Sequence, residues 1–162
     1  MPRATFQTLI GRCGIAWGDS GLTRFELPEA TARPDDVSTF PPEIAAIIER
    51  VGKHLAGAHQ DFSGLPYDFS HTPEFQQQVY GATLAVKAGR TASYGEIAAA
   101  MGQPPAASRA VGSALGANPW PLLIPCHRIV AADGKMTGFS GPGGIKTKLR
   151  LLALEGSELF AE

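Results

Sequence analysis

Asn118-Pro119-Trp120-Pro121-Leu122-Leu123-Ile124-Pro125-Cys126-His127-Arg128-Ile129-Val130 sets a cysteine between an apolar run and a histidine. Pro119, Pro121 and Pro125 exclude a regular helix interior or a central strand, so the segment reads as a stiff, irregular arm. An isolated Cys-His pair is more often structural than reactive, because cysteine is among the most commonly buried residues and adjacent strand residues face opposite ways. Irregular backbone inside an apolar run shifts that balance. A nucleophile, a nearby base and walls that exclude bulk water are the ingredients of a reactive thiol.

Working outward, the chain has 162 residues, 44% of them hydrophobic, enough for one sizeable core or two small ones packed together. No window approaches the ~20 apolar residues of a membrane span, and Met1–Ile10 lacks an apolar run of signal length. The expectation is therefore a protein without a membrane partner, placed in a cytoplasm or nucleus. Cys13 and Cys126 are the two cysteines and stand far apart, with no Cys-x-x-Cys spacing, so neither a disulfide framework nor a zinc site is expected. Net charge is −1, but it is unevenly spread: residues 1–69 hold nine acids against six bases, whereas residues 70–150 hold eight bases against three acids. That asymmetry is compatible with one basic face that meets phosphates.

The N-terminal part shows Ala4–Ile10, Gly14–Trp17 and Leu22–Leu27 as short β-branched and aromatic runs. Gly11-Arg12-Cys13 and Gly18-Asp19-Ser20-Gly21 punctuate them, which predicts an antiparallel meander. After a connection from Glu29 to Phe40, Pro41-Pro42-Glu43 opens a helix whose Ile44, Ile47, Ile48, Val51 and Leu55 form an apolar stripe over the sheet. His54 reads as a surface or boundary position. The expected division falls near Ser70.

Beyond it, Thr72-Pro73-Glu74 reads as an N-cap, a first-turn proline and an acid, starting a helix to about Ala88 that Gly89 stops. Ser93-Tyr94-Gly95-Glu96 has capping-box spacing. Gly102-Gln103-Pro104-Pro105 is a turn, and Ala106–Leu115 a second helix, so the pair predicts a helix-turn-helix. The second helix carries Ala106, Ala107, Ala110, Gly112, Ser113 and Ala114, almost without bulk, and such a helix can approach another backbone closely. Arg109 argues against simple burial of that face, since an unpaired charge is costly to bury. The fold class is thus an α/β N-terminal domain over 1–70, a small antiparallel sheet with a covering helix. A mainly α C-terminal domain with a winged-helix-like helix-turn-helix follows over 71–162.

Pro125–Val130, with Arg109-Ala110-Val111-Gly112 and Asn118-Pro119 upstream and Leu151-Leu152-Ala153-Leu154-Glu155-Gly156 downstream, resembles the O6-alkylguanine-DNA alkyltransferase family. These are also called methylated-DNA-protein-cysteine methyltransferases, and the resemblance runs from about Thr72 to Gly156. It implies a DNA-repair protein that binds duplex DNA containing O6-alkylguanine through its minor groove and flips the damaged base. The alkyl group then passes irreversibly to Cys126, once per molecule, with no cofactor. By the same resemblance His127 is the base, acting through a water and oriented by Glu155, and Asn118 stabilises the turn of the arm. Tyr94 turns the target phosphate and Arg109 enters the vacated stack, on a face with Ala110, Gly112 and Ser113. Pro121, Ile129, Met136, Phe139 and Ser140 line the pocket, Phe139 standing where the family often has tyrosine. Some members carry an N-terminal zinc built from paired Cys and His ligands; with Cys13 alone there, none is expected, and a monomer is.

Two other classes compete. A non-catalytic helix-turn-helix regulator or damage-recognition protein would keep Cys126 as a structural residue. A thiol hydrolase would use the Cys-His pair with turnover, but would have no use for Arg109 on a smooth helix.

Overall fold

The computed structural model describes residues 2–28, 40–131 and 144–157. Strands β1 (Arg3–Thr8), β2 (Gly11–Gly18) and β3 (Gly21–Glu26) form an antiparallel sheet in the order β1-β2-β3. The first turn is Leu9-Ile10, earlier than the glycine punctuation suggests. Thr8 Oγ1 donates to Gly11 O (2.6 Å) and accepts from Ile10 N (3.2 Å), so Thr8 and Gly11 close the hairpin and Cys13 falls inside β2. Glu26 lies opposite Gly14 and is buried against Arg3 (Nη2–Oε1 2.7 Å). A Cβ on residue 14 would come to 2.5 Å from Glu26 Oε1, so glycine there makes room for the ion pair.

Helix α1 (Pro42–Leu55) buries Ile44, Ile47, Val51 and Leu55 as the stripe predicts, and buries His54 as well. His54 is 0% exposed, which corrects the surface reading. It stands three residues after Val51 and seven after Ile47, so helical geometry carries it onto the covered face. Helix α2 (Glu74–Leu84) begins at Pro73 as N-cap, with no side-chain cap from Thr72. It ends before Ala88, because Ala85 N and Val86 N turn to the i−3 carbonyls of Ala82 and Thr83.

A short strand β4 (Ala92–Ser93) leads directly into α3 (Tyr94–Ala100), whose capping box is complete: Glu96 N donates to Ser93 Oγ at 3.0 Å, and Ser93 N to Glu96 Oε1 at 2.8 Å. A 3₁₀ turn, Pro105–Ala107, precedes α4 (Ser108–Gly116), so the helix-turn-helix forms. Strand β5 (Ile129–Val130) pairs parallel with β4, Ala92 opposite Ile129 and Ser93 opposite Val130. Helix α5 (Gly144–Leu154) ends in a Schellman arrangement, with Ser157 N on Leu152 O (2.8 Å), Gly156 N on Ala153 O (3.0 Å), and Gly156 at φ +83.

One hydrophobic cluster runs through both halves, from Ala4, Ile15 and Phe25 of the sheet to Trp120, Ile124 and Leu151. Backbone and side-chain bonds reinforce it. Phe25 N donates to Pro119 O (2.9 Å) and Trp120 Nε1 to Leu22 O (3.0 Å), so the third strand buttresses the proline-rich arm.

Candidate active site and nucleic-acid face

The arm is held in shape by Asn118. Its Oδ1 accepts from Trp120 N (2.9 Å) and its Nδ2 donates to Ile124 O (2.9 Å), clamping both ends of the loop between them. Leu122 inside that loop adopts φ +77, a left-handed conformation that a branched side chain rarely takes and that costs on the order of 1–3 kcal/mol. Packing supplies the compensation, since Trp120, Leu122, Leu123 and Ile124 are all buried. The loop delivers Cys126-His127-Arg128 as a single 3₁₀ turn, all three residues buried.

Cys126 is 8% exposed. Burial pushes its thiol up, opposed by a hydrogen bond from the Asn118 side chain and by the positive charge of Lys148, so it rests as a thiol that needs a base to react. Beside it, His127 Nε2 lies 2.9 Å from Glu155 Oε2. Burial would raise the Glu155 carboxyl, but hydrogen bonds from Arg128, His127 and His54 outweigh it and hold the group far below the usual carboxylate range. Glu155 is thus an acceptor, and His127 Nε2 must carry the proton. Burial holds the His127 imidazole below its ordinary value against the pull of Glu155, so the neutral ring presents Nδ1 as a lone pair. Nδ1 has no hydrogen-bond partner among the described residues. A buried base with a free lone pair follows a thiol by one residue.

Four side chains that sequence reasoning left without a role complete the site. Arg128 grips Glu155 with two bonds, Nε to Oε1 (2.8 Å) and Nη2 to Oε2 (2.7 Å), while its Nη1 holds Val86 O (2.6 Å). His54 Nε2 reaches Glu155 Oε2 at 2.8 Å. Lys148 is buried, donates to Ile129 O (2.7 Å), and is pushed down by burial and up by Cys126. Tyr80 donates to Ala114 O (2.8 Å) and is pushed up to about 12, chiefly by burial. Arg128 and His54 had a legible signal, the former in the motif and the latter on the stripe of α1. Lys148 and Tyr80 had none, because only the closed fold brings them near the thiol.

On the outer side, Arg109, Ala110 and Ser113 are exposed on α4, while Val111, Ala114 and Leu115 face the core. Tyr94, at the first position of α3, lies against α4, its ring within 3.9 Å of where a Cβ on Gly112 would stand. The β4–β5 pairing sets Ser93, the residue before Tyr94, opposite Val130 on the strand that leaves the Cys126 turn. Pro121 bridges to Ile124 in the arm, and Ile129 O accepts from Lys148. Met136, Phe139 and Ser140 lie outside the described residues.

A helix-turn-helix joined by a strand pair to a buried thiol with its own base defines a nucleic-acid-facing protein with a cysteine nucleophile. The family described as 6-O-methylguanine DNA methyltransferase, DNA binding domain, matches residues 74–157. The methylated-DNA–protein-cysteine methyltransferase of Mycobacterium tuberculosis is 38% identical over 160 residues, 98% of this chain and 94% of that protein. A crystal structure of the Mycobacterium tuberculosis OGT in complex with DNA superposes with a TM-score of 0.78 at 37% identity, covering 94% of this chain and 92% of that one. A DNA base-flipping protein of Thermus thermophilus is 41% identical over 111 residues, 68% of this chain and 72% of its own. The chain belongs to the methylated-DNA–protein-cysteine methyltransferase family. Among the described residues no helix is long and apolar enough to cross a membrane.

Proposed function

We propose that this protein repairs alkylated DNA by direct reversal, taking the alkyl group of O6-alkylguanine onto Cys126 in a single irreversible turnover. The observation that carries the reading is the buried thiol next to an imidazole whose proton is pinned on the far nitrogen by Glu155. His127 Nδ1 takes the Cys126 proton through one water. The sulfur attacks the alkyl carbon, the S–C bond forms as the C–O6 bond breaks, and the electron pair passes to the guanine ring, which regains a proton. The net change is thiol plus O6-alkylguanine to thioether plus guanine. Tyr94 donates toward the departing base, and the positive charge of Lys148 favours the thiolate as the proton leaves. Asn118 keeps the arm in register, and Pro121 and Ile129 line the pocket.

The exposed face of α4 enters the minor groove, where Ala110, Gly112 and Ser113 permit close approach and Arg109 replaces the extruded base in the stack. Arginine suits that position because it is planar and cationic and can hydrogen-bond to the orphaned partner. We place the working unit as a cytoplasmic monomer divided into a supporting part, 1–70, and a reactive part, 71–162.

The test is to mix the protein with duplex DNA holding one O6-methylguanine and to weigh the intact chain and its peptides. One methyl on the Cys126 peptide, saturating at one per protein and absent in Cys126→Ser, establishes repair. Tight lesion binding without an adduct would instead establish damage recognition, the activity class suggested by the similarity to a base-flipping protein.

A further inference from the structure

His54 belongs to the N-terminal half, yet it is buried against the reactive site of the other. Its ring is fixed at both nitrogens. Gln60 N donates to Nδ1 at 2.9 Å, so the remaining proton sits on Nε2, which donates to Glu155 Oε2 at 2.8 Å. Oε2 therefore accepts from His54, from His127 (2.9 Å) and from Arg128 (2.7 Å), whereas Oε1 accepts from Arg128 alone among these groups. Three donors meet one carboxylate oxygen that has two lone pairs, so they compete for it.

We propose that His54 is a positioning residue for the alkyl-transfer base: it competes with His127 for Glu155 Oε2 and so limits the proton affinity of the His127 ring. The inference rests on the repair reading above and gives the N-terminal half a part in the chemistry. The groups that face His127 are Glu155 from the end of α5, Arg128 and Cys126 from its own turn, and His54 from α1. Those facing His54 are Glu155, His127, and His59 with ring centroids 5.9 Å apart. A base held too strongly by its carboxylate would be protonated at working pH and unable to accept the thiol proton. Burial and the Arg128 charge push His127 down, while Glu155 pulls it up.

The experiment is the pH dependence of single-turnover methyl transfer from duplex DNA containing O6-methylguanine, for wild type, His54→Asn and His54→Gln. Asparagine can keep the acceptor for Gln60 N but cannot reach Glu155. Glutamine can keep the donor to Glu155. His54→Asn is expected to move the acid limb of the rate up by about half to one pH unit, because Glu155 then draws harder on His127, whereas His54→Gln stays within about 0.2 unit of wild type. Equal shifts in both variants, or none in either while Cys126 is methylated normally, would overturn the inference. If the variants do not fold, imidazole ¹⁵N shifts of the wild type decide it: His54 must show an unprotonated Nδ1 and a protonated Nε2, and the reverse tautomer overturns it. A wild type that binds the lesion without methylating Cys126 overturns the repair reading instead, and the ¹⁵N result still stands or fails by itself.

Discussion

Replacing Glu155 by glutamine should cost this fold more than any surface change of equal size. The carboxylate is 1% exposed and accepts four bonds of 2.7–2.9 Å, from His54, His127 and twice from Arg128. Glutamine offers one oxygen and turns an NH₂ toward groups that are themselves donors, leaving the Arg128 charge, 5% exposed, without a counter-charge. Removing one partner of a buried pair costs about 3–5 kcal/mol. For a chain of this length each kcal/mol lowers Tm by about 2–4 °C, so the expected fall is on the order of 6–20 °C. Urea unfolding followed by the fluorescence of Trp120, which is buried in the shared core, reads the same loss as a lower midpoint.

The pH dependence gives an independent check. Glu155 is held below its unfolded value of about 4.3, so in the wild type its contribution is complete above that pH and is lost as pH falls further. His127 is also held low, so below about 6.5 the unfolded chain binds a proton that the folded chain refuses, and stability declines as pH drops. Glu155→Gln should abolish the first slope and retain the second. A loss under about 1 kcal/mol, or an unchanged acid slope below pH 4, would refute the idea that the carboxylate is the charge centre of the site.

Other changes have equally definite outcomes. Asn118→Ala removes both clamps on the arm and should cost about 1–3 kcal/mol in urea unfolding, with slower methyl transfer because the Cys126 turn loses its register. Ser93→Ala opens the capping box of α3 and should lower stability by about 1 kcal/mol in the same assay while leaving the chemistry of the thiol intact. Arg109→Ala should slow transfer from duplex DNA by about tenfold to a hundredfold, yet leave transfer from the free O6-methylguanine base unchanged, as its proposed role in base extrusion requires.

Much of this molecule was written locally. The meander, the α1 stripe, the capping box at Ser93 and the small-residue helix around Arg109 follow from backbone propensity, side-chain period and capping chemistry, each confined to a few consecutive residues. The motif around Cys126 and the Leu-x-x-Glu-Gly ending that contains Glu155 were equally visible, and their family resemblance named the chemistry. Boundaries were less legible. Helix α2 stops at Leu84, four residues short of the expected Ala88, and Val86 O is held by Arg128, forty-two positions away.

What tertiary structure alone decided is the company each of these residues keeps. Glu155 meets His54 across 101 positions, Lys148 comes beside Cys126, and the β4–β5 pairing docks the start of α3 on the strand that follows the Cys126 turn. No periodicity encodes such contacts, because they depend on where whole elements dock once a single core has closed over both halves. A buried ion network is set by desolvation, and desolvation is a property of the packed fold rather than of any stretch of chain.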